Sequence, residues 1–247
     1  MIKLKELVKT TIKESVYNKG LFKAIFTSGI PGAGKSYTLS KITDGNLQPH
    51  IVNTDKFFEF FQKKYDFRDI EDTENVDVQR LLVDISKKST VNQLALYINS
   101  MLPLFVDGTS NNMSHLLRRD GILKSFGYDT GMVWINTDID AVIKRMKTRE
   151  RKVHENIIRR MFDSLKENMP YYKNHFAFFV ELSNNDNELT DKIILDAYKK
   201  TSSFFTSDMN NPVGKRIYKI AYETSGYLVP SVYSSIEKIR SKLSGWY

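Results

Sequence analysis

Eight residues, Gly29-Ile30-Pro31-Gly32-Ala33-Gly34-Lys35-Ser36, carry the sharpest chemical signal in the sequence. They fit the spacing G-x-x-x-x-G-K-[ST]. Glycines at those positions let backbone N–H groups turn inward around a chain of phosphates. A helix opening at Lys35 adds the partial positive charge of its N-terminus. In such a loop Lys35 reaches the outer phosphates and Ser36 ligates Mg²⁺. Gly29, Gly32, Ala33, Gly34 and Tyr37 are expected to border such a phosphate chain. A Gly-rich turn followed by a chance Lys-Ser is the plain alternative. The apolar run Phe22–Thr27 before the loop and the helical stretch after it favour the phosphate reading.

Two acids follow further short apolar runs. Asp55 comes after His50–Asn53, where a carboxylate could take the proton of an attacking hydroxyl as general base. Thr54 or Asp55 capping a helix that begins at Lys56 explains the same residues equally well. Asp107 ends Leu102–Val106 and opens Asp107-Gly108-Thr109-Ser110-Asn111. An acid there orients Mg²⁺, often through water; the alternative is a turn built on Asp-Gly. Arg145, Arg149, Arg151, Arg159 and Arg160 crowd one stretch, with Lys144, Lys147 and Lys152 among them. Arginine stabilises charge spread over a transferring phosphoryl group. Arg149 and Arg151 are the best placed for a lid, and the others suit a solvated face. His50, His115, His154 and His175 show no metal-ligand spacing and suit structural or surface roles.

These residues need a scaffold that brings the ends of apolar strands together. Strands are expected at Phe22–Thr27, His50–Asn53, Leu102–Val106, Met132–Asn136 and Phe176–Leu182. Helices are expected at 2–18, from Lys35, over 75–100, from Asp140 through Arg149, over 187–200 and from Val232 to Leu243. In the long segment, Val76, Val78, Leu81, Leu82, Ile85, Leu94, Leu96 and Ile98 lie on or near one face. Short apolar strands alternating with helices imply an α/β fold with a parallel sheet. The division expected is an N-terminal helix (1–20), a main domain (21–200), and a linker with a helical extension (201–247). Residues 201–214 look like the linker itself. The extension carries Tyr218, Tyr222, Tyr227, Tyr233, Trp246 and Tyr247, which suit either packing back on the domain or a protein partner.

Composition sets outer limits. With no cysteine, the 247 residues exclude a disulfide framework, a thiol nucleophile and a Cys-ligated metal. No apolar run is long enough for a bilayer, and the first residues lack a signal-peptide core. A cytoplasmic protein with no membrane attachment is expected. The net charge of +8 suits a polyanionic partner or a Lys-rich solvated surface. Its excess lies at the two ends, in residues 1–20 and 206–247.

Together the pieces SGIPGAGKS (28–36), VNTD (52–55), FVDGTSNN (105–112) and RERKVHENIIRRM (149–161) resemble the P-loop kinase group that includes polynucleotide 5′-kinases and zeta toxins. The resemblance covers about residues 20–185. It implies a P-loop NTPase-type sheet of five parallel strands, ATP or GTP with Mg²⁺, Asp55 as base and the Arg149/Arg151 region as lid. It also implies transfer of the γ-phosphate to a hydroxyl. A 5′-hydroxyl of nucleic acid is the first acceptor to expect, with a nucleotide sugar or other small hydroxyl compound as the alternative. A nucleotide-binding assembly module without catalysis is the third reading. Departures bear on the acceptor. The stretch after Asp55 offers only Lys56 as a basic residue, where polynucleotide kinases tend to carry an arginine. Six acids fall within 66–77, namely Asp66, Asp69, Glu71, Asp72, Glu74 and Asp77, and they would repel a polynucleotide.

Overall fold

The computed structural model describes residues 21–43, 49–67, 76–148, 153–185, 190–223 and 238–247, with backbone alone at 221–223. The expected helix at 2–18, most of the acidic run, and both Arg149 and Arg151 lie outside these residues.

Five strands form one sheet: β1 (Lys23–Ser28), β2 (His50–Val52), β3 (Leu104–Asp107), β4 (Asp129–Asn136) and β5 (Phe178–Ser183). The order is β2-β3-β1-β4-β5, and all four pairings are parallel. A parallel pair cannot be joined by a hairpin, so each connection must cross over, and helices make the crossings. They are α1 (Lys35–Ile42), α2 (Thr54–Lys64), α3 (Val76–Asn99), α4 (Met113–Ser125), α5 (Ile139–Lys147), α6 (Glu155–His175), α7 (Asp191–Thr206) and α8 (Pro212–Glu223). Residues 238–242 are helical and tighten into a 3₁₀ turn at Leu243–Gly245.

Strand position explains strand composition. Central β1 is buried at every residue, with apolar Ala24, Ile25 and Phe26 at its middle and the polar residues Lys23, Thr27 and Ser28 at its ends. Edge strand β5 alternates buried Val180 and Leu182 with exposed Glu181 and Ser183. Pro103 falls just before β3, where its missing N–H costs nothing, and its carbonyl accepts the N–H of His50 at 2.8 Å. Helix α3 buries Leu82, Ser86, Thr90, Leu94 and Ile98, a stripe repeating every fourth residue. Ser86 and Thr90 return their hydroxyl protons to Leu82 O and Ser86 O, so two polar residues enter the core satisfied. Val76, Val78, Leu81 and Leu96, expected on that apolar face, are exposed.

The expected linker is a correction. Helix α7 runs on to Thr206, α8 begins at Pro212, and the connection between them is fixed rather than loose. Lys23, with a side chain 1% exposed, donates to Asp129, to Ser207 Oγ at 3.0 Å and to Asp208 O at 2.8 Å. Asp129 also accepts the backbone N–H groups of Asn210 and Asn211. The Ser/Asn-rich composition that suggested a linker instead supplies the polar partners of a buried ion pair. Helix α4 had no expectation in the sequence; its apolar positions are too few to show a helical period, with only Leu116, Asp120 and Leu123 buried.

Because every strand runs the same way, Ser28, Val52, Asp107, Asn136 and Ser183 all end on one edge of the sheet. The strand order reverses at β1, between β3 and β4. Ligands of open α/β sheets bind outside such an edge, at the reversal.

Candidate active site

The loop 29–36 leaves β1 at that reversal and enters α1. Gly32 and Gly34 hold φ of 87° and 93°, a left-handed backbone that favours glycine. A Cβ at Gly34 would stand 2.2 Å from Asn184 Nδ2, and one at Gly32 would press on Val142 and Met146 at 3.2 Å. No side chain caps α1 and no acid lies in its first turn, so nothing there competes with an anion for the helix N-terminus. Lys35 Nζ donates to Gly29 O at 2.7 Å and to Ile30 O at 3.3 Å, arching back over its own loop. Ser36, at the second helical position, and Tyr37 beside it are both exposed. The carbonyl of Ala33 is turned away from the cradle: it accepts Thr137 Oγ1 at 3.1 Å and Asn184 Nδ2 at 2.6 Å.

The two acids sit on the neighbouring strand ends. Asn53 is the cap of α2, accepting from Asp55 N at 2.7 Å and Lys56 N at 3.3 Å, so the capping role expected of Thr54 or Asp55 belongs to Asn53. Asp55 is left in the first turn with its side chain exposed. The Asn53 amide also donates to Asp107 at 2.7 Å, and Thr27 Oγ1 donates to the other oxygen of Asp107 at 2.7 Å. Asp107 is thus held as a half-buried carboxylate between the ends of β1 and β2. The loop after it is stitched to the phosphate loop: Gly29 N and Ser28 Oγ both donate to Thr109 O. From the far side, α6 grips the same loop through Tyr172 Oη to Ser110 O and Asn168 Nδ2 to Asn111 O, each at 2.9 Å.

A Mg²⁺ ion and a triphosphate fit what is present. The cradle has no room for side chains at Gly32 or Gly34, a hydroxyl follows the lysine, and a positioned carboxylate stands on the adjacent strand. Among the described residues no group of three His, Asp or Glu could hold a metal unaided. Ser36 and Asp107 would therefore share the ion with phosphate oxygens and water, the usual habit of Mg²⁺.

Asn184, at this edge, is not among the residues expected from sequence, and Arg145, named in the arginine-rich stretch, is expected there only on a solvated face. Asn184 follows β5 and reaches the phosphate loop. Arg145, on α5, donates Nη2 to Asn184 O at 2.8 Å, while its buried Nη1 has no partner among the described residues. The Asn184-Asn185 pair just past an apolar strand was the readable signal, by the same strand-end logic that found Asp55 and Asp107. Arg159 bonds exposed Glu155 one turn away and Arg160 bonds Asn156 O, both as surface residues.

Beside Asp107 the edge opens into a cavity of about 160 Å³, bordered by Thr27, Asp107, Thr109, Asn112, His115 and Arg119. Arg119 Nε donates to Trp246 O at 2.8 Å, and its guanidinium lies 5.3 Å and 5.1 Å from the ring centres of Trp246 and Tyr247. The Tyr247 hydroxyl shares a short hydrogen bond with Thr54 Oγ1. Trp246 and Tyr247 therefore pack back on the domain, Trp246 being 2% exposed. Of the other late aromatics, Tyr218 packs against the core, while Tyr227 and Tyr233 and the side chain of Tyr222 lie outside the described residues.

No protein-family model matches the chain. Solved structures resemble it in fold. A protein described as a kinase, from Chloroflexus aurantiacus J-10-fl, aligns with a TM-score of 0.52 at 12% identity, covering 74% of this chain and 97% of its own. The PezAT chromosomal toxin–antitoxin system of Streptococcus pneumoniae gives 0.47 at 14% identity over 92% and 96%. Shikimate kinase from Bacteroides thetaiotaomicron gives 0.43 at 12% over 75% and 99%. The first of these carries the structural argument; the other two scores are too low to add to it. The chain shares the fold of the first of these, a parallel five-stranded sheet with a glycine loop at the reversal.

Proposed function

We propose that the protein is a phosphotransferase that moves the γ-phosphate of ATP, or of GTP, to a hydroxyl on a small acceptor. The observation that carries the reading is the joined pair of strand ends: an uncapped glycine loop with Lys35 beside a carboxylate, Asp107, fixed by Thr27 and Asn53. The backbone amides of Gly32 to Ser36 bind the phosphate chain. Lys35 exchanges its loop carbonyls for phosphate oxygens. Ser36 and Asp107 would hold Mg²⁺, which would supply positive charge against the phosphates. Asp55 accepts the proton of the attacking hydroxyl as its oxygen bonds the γ-phosphorus, the bond from that phosphorus to the β–γ bridging oxygen breaks, and the nucleoside diphosphate leaves with those electrons. Arg145, with one buried nitrogen awaiting an acceptor, faces the nucleotide from α5, and Arg149 and Arg151 close over the phosphates as a lid.

The cavity beside Asp107 supports a compact acceptor. At about 160 Å³ it falls below the roughly 300–1,000 Å³ typical of pockets for drug-sized ligands. The net charge of +8 supports a second reading, the 5′-hydroxyl of a polynucleotide. The assembly-module reading loses Trp246 and Tyr247 as a docking surface, since both pack against the domain.

Transfer from γ-labelled ATP to three acceptor sets tests this: small hydroxy compounds, nucleotide sugars and 5′-hydroxyl oligonucleotides. Label in either small-molecule set supports the first reading, and label confined to oligonucleotides supports the second. Bound ATP with no label in any set contradicts a transferase.

A further inference from the structure

Among the described residues of the cavity, Arg119 is a cation with hydrogen-bonding capacity to spare. Arg119 is a planar fork with five N–H donors, and only Nε is used, on Trp246 O. Among the described residues neither terminal nitrogen meets an acceptor. Yet the side chain is not loose. The carbonyl of Trp246 fixes its Nε, two aromatic rings lie against the guanidinium, and Tyr247 is itself tied to Thr54, one residue before Asp55. Thr54 Oγ1 in turn lies 3.2 Å from Oγ1 of buried Thr90 on α3, so the support reaches into the core. Lys87, also on α3, lies 6.0 Å from the centre of the Tyr247 ring. An arginine held this firmly has already lost its rotamer freedom, and a bidentate contact from it costs little further ordering.

We propose that Arg119 is the anion-recognition residue of the acceptor cavity and that Trp246 and Tyr247 are positioning residues which aim it. The acceptor then carries a phosphate or carboxylate group in addition to its reacting hydroxyl. The remaining lining agrees: Thr109, Asn112 and His115 offer hydrogen bonds to a polar body, and Asp107, the one acid among the described lining residues, accepts hydrogen bonds from Thr27 and Asn53. Burial lowers the guanidinium pKa from its ordinary value, and the neighbouring Tyr247 works against that shift. Arginine nonetheless stays protonated in proteins. An anion entering the cavity regains the charge pairing that burial withholds. This inference rests on the kinase reading for the word acceptor; the anion site itself stands on geometry.

The test therefore reads binding at single residues and not turnover. Inorganic phosphate and, separately, acetate are titrated into the isotope-labelled full chain, and backbone amide signals are followed in two places, 29–36 and 107–112. Phosphate is expected to move both sets, because the glycine loop binds it too. Arg119→Met is expected to weaken the response at 107–112 by about tenfold or more and to leave that at 29–36 unchanged. Tyr247→Leu should weaken the 107–112 response alone, a split that a merely structural role would not produce. If the amide spectrum shows Arg119→Met unfolded, Arg119→Lys carries the test, because it keeps the charge but loses the fork and should still weaken the response. A larger response to phosphate than to acetate marks a phosphorylated acceptor, and the reverse marks a carboxylate. No movement at 107–112 with either anion, or movement that survives removal of the guanidinium, overturns the proposal. Failure of MgATP to move 29–36 would overturn the kinase reading instead and leave the anion site intact.

Discussion

Asn53 does two jobs at once, and they define the acceptor side of the site. Its carbonyl oxygen caps α2 and its amide bonds Asp107, so one side chain sets the spacing between the proposed base and the proposed metal ligand. Asn53→Ala is expected to cost about 1 kcal/mol by urea denaturation, as lost caps do, and to lower turnover more than ATP affinity. Asp55→Asn is expected to reduce transfer by about 10²–10⁴-fold, with ATP binding retained in calorimetry; a rate close to wild type would place the base elsewhere. Sequence alone left Asp55 evenly balanced between base and cap, because an Asx residue before a helix fits both. Only the hydrogen-bond partner of the first-turn N–H groups separates the two, and that is a fact of geometry. Arg119 was beyond the reach of sequence for a related reason. Its meaning comes from residues 127 and 128 positions away, Trp246 and Tyr247, which no local pattern connects to it.

At the scale of elements, the glycine loop depends on its neighbours as much as on its own residues. Asn184 beyond β5 and Val142 and Met146 on α5 crowd the positions where Gly34 and Gly32 lack a Cβ. Gly34→Ala combines a left-handed backbone with that crowding and should destabilise the chain by about 1–3 kcal/mol while weakening MgATP binding. Retained stability and affinity would mean that the loop has slack. This loop was legible because its mechanism dictates residue types at fixed spacing, whatever the surroundings. The strands were legible because each carries a short apolar run, the usual mark of parallel strands covered by helices. Helices α2 and α4 were harder, since exposed Phe60 and Tyr65 on one and Leu117-Arg118-Arg119 on the other blur the helical period. At the β2 edge, the His50 ring lies tilted against Tyr97 at 4.5 Å between ring centres, and burial lowers its pKa below 6.5. The unfolded chain then holds the proton more tightly than the folded one. Its contribution to stability is complete above pH 6.5 and is lost as the pH falls through the lowered folded value. His50→Phe should therefore flatten the decline of the melting temperature between pH 7.5 and 5; an unchanged slope would assign that decline to other groups.

Across the whole molecule, one buried ion pair joins the start of the sheet to the last helices. Lys23 opens β1, Asp129 opens β4, and both bind the connection between α7 and α8. Lys23→Met leaves Asp129 with backbone donors but no counter-charge, and is expected to cost about 3–5 kcal/mol by urea denaturation. A loss below about 1 kcal/mol would show that Asn210 and Asn211 satisfy the carboxylate unaided. A lysine inside an apolar run gives no hint in sequence of a partner 106 positions away, and this is why 201–214 looked like a linker. No helix among the described residues is long and apolar enough to cross a membrane, and the apolar surface instead goes into one core shared by the sheet and its helices. That core holds the carboxyl edge of the sheet in register, and the account of function stands or falls on what the edge grips. Calorimetric titration of the full chain with MgATP, wild type beside Lys35→Ala, tests this most directly. Saturable binding by wild type, strongly weakened by Lys35→Ala in a chain that remains folded, is the result expected. No binding by wild type, or binding indifferent to Lys35, would contradict it.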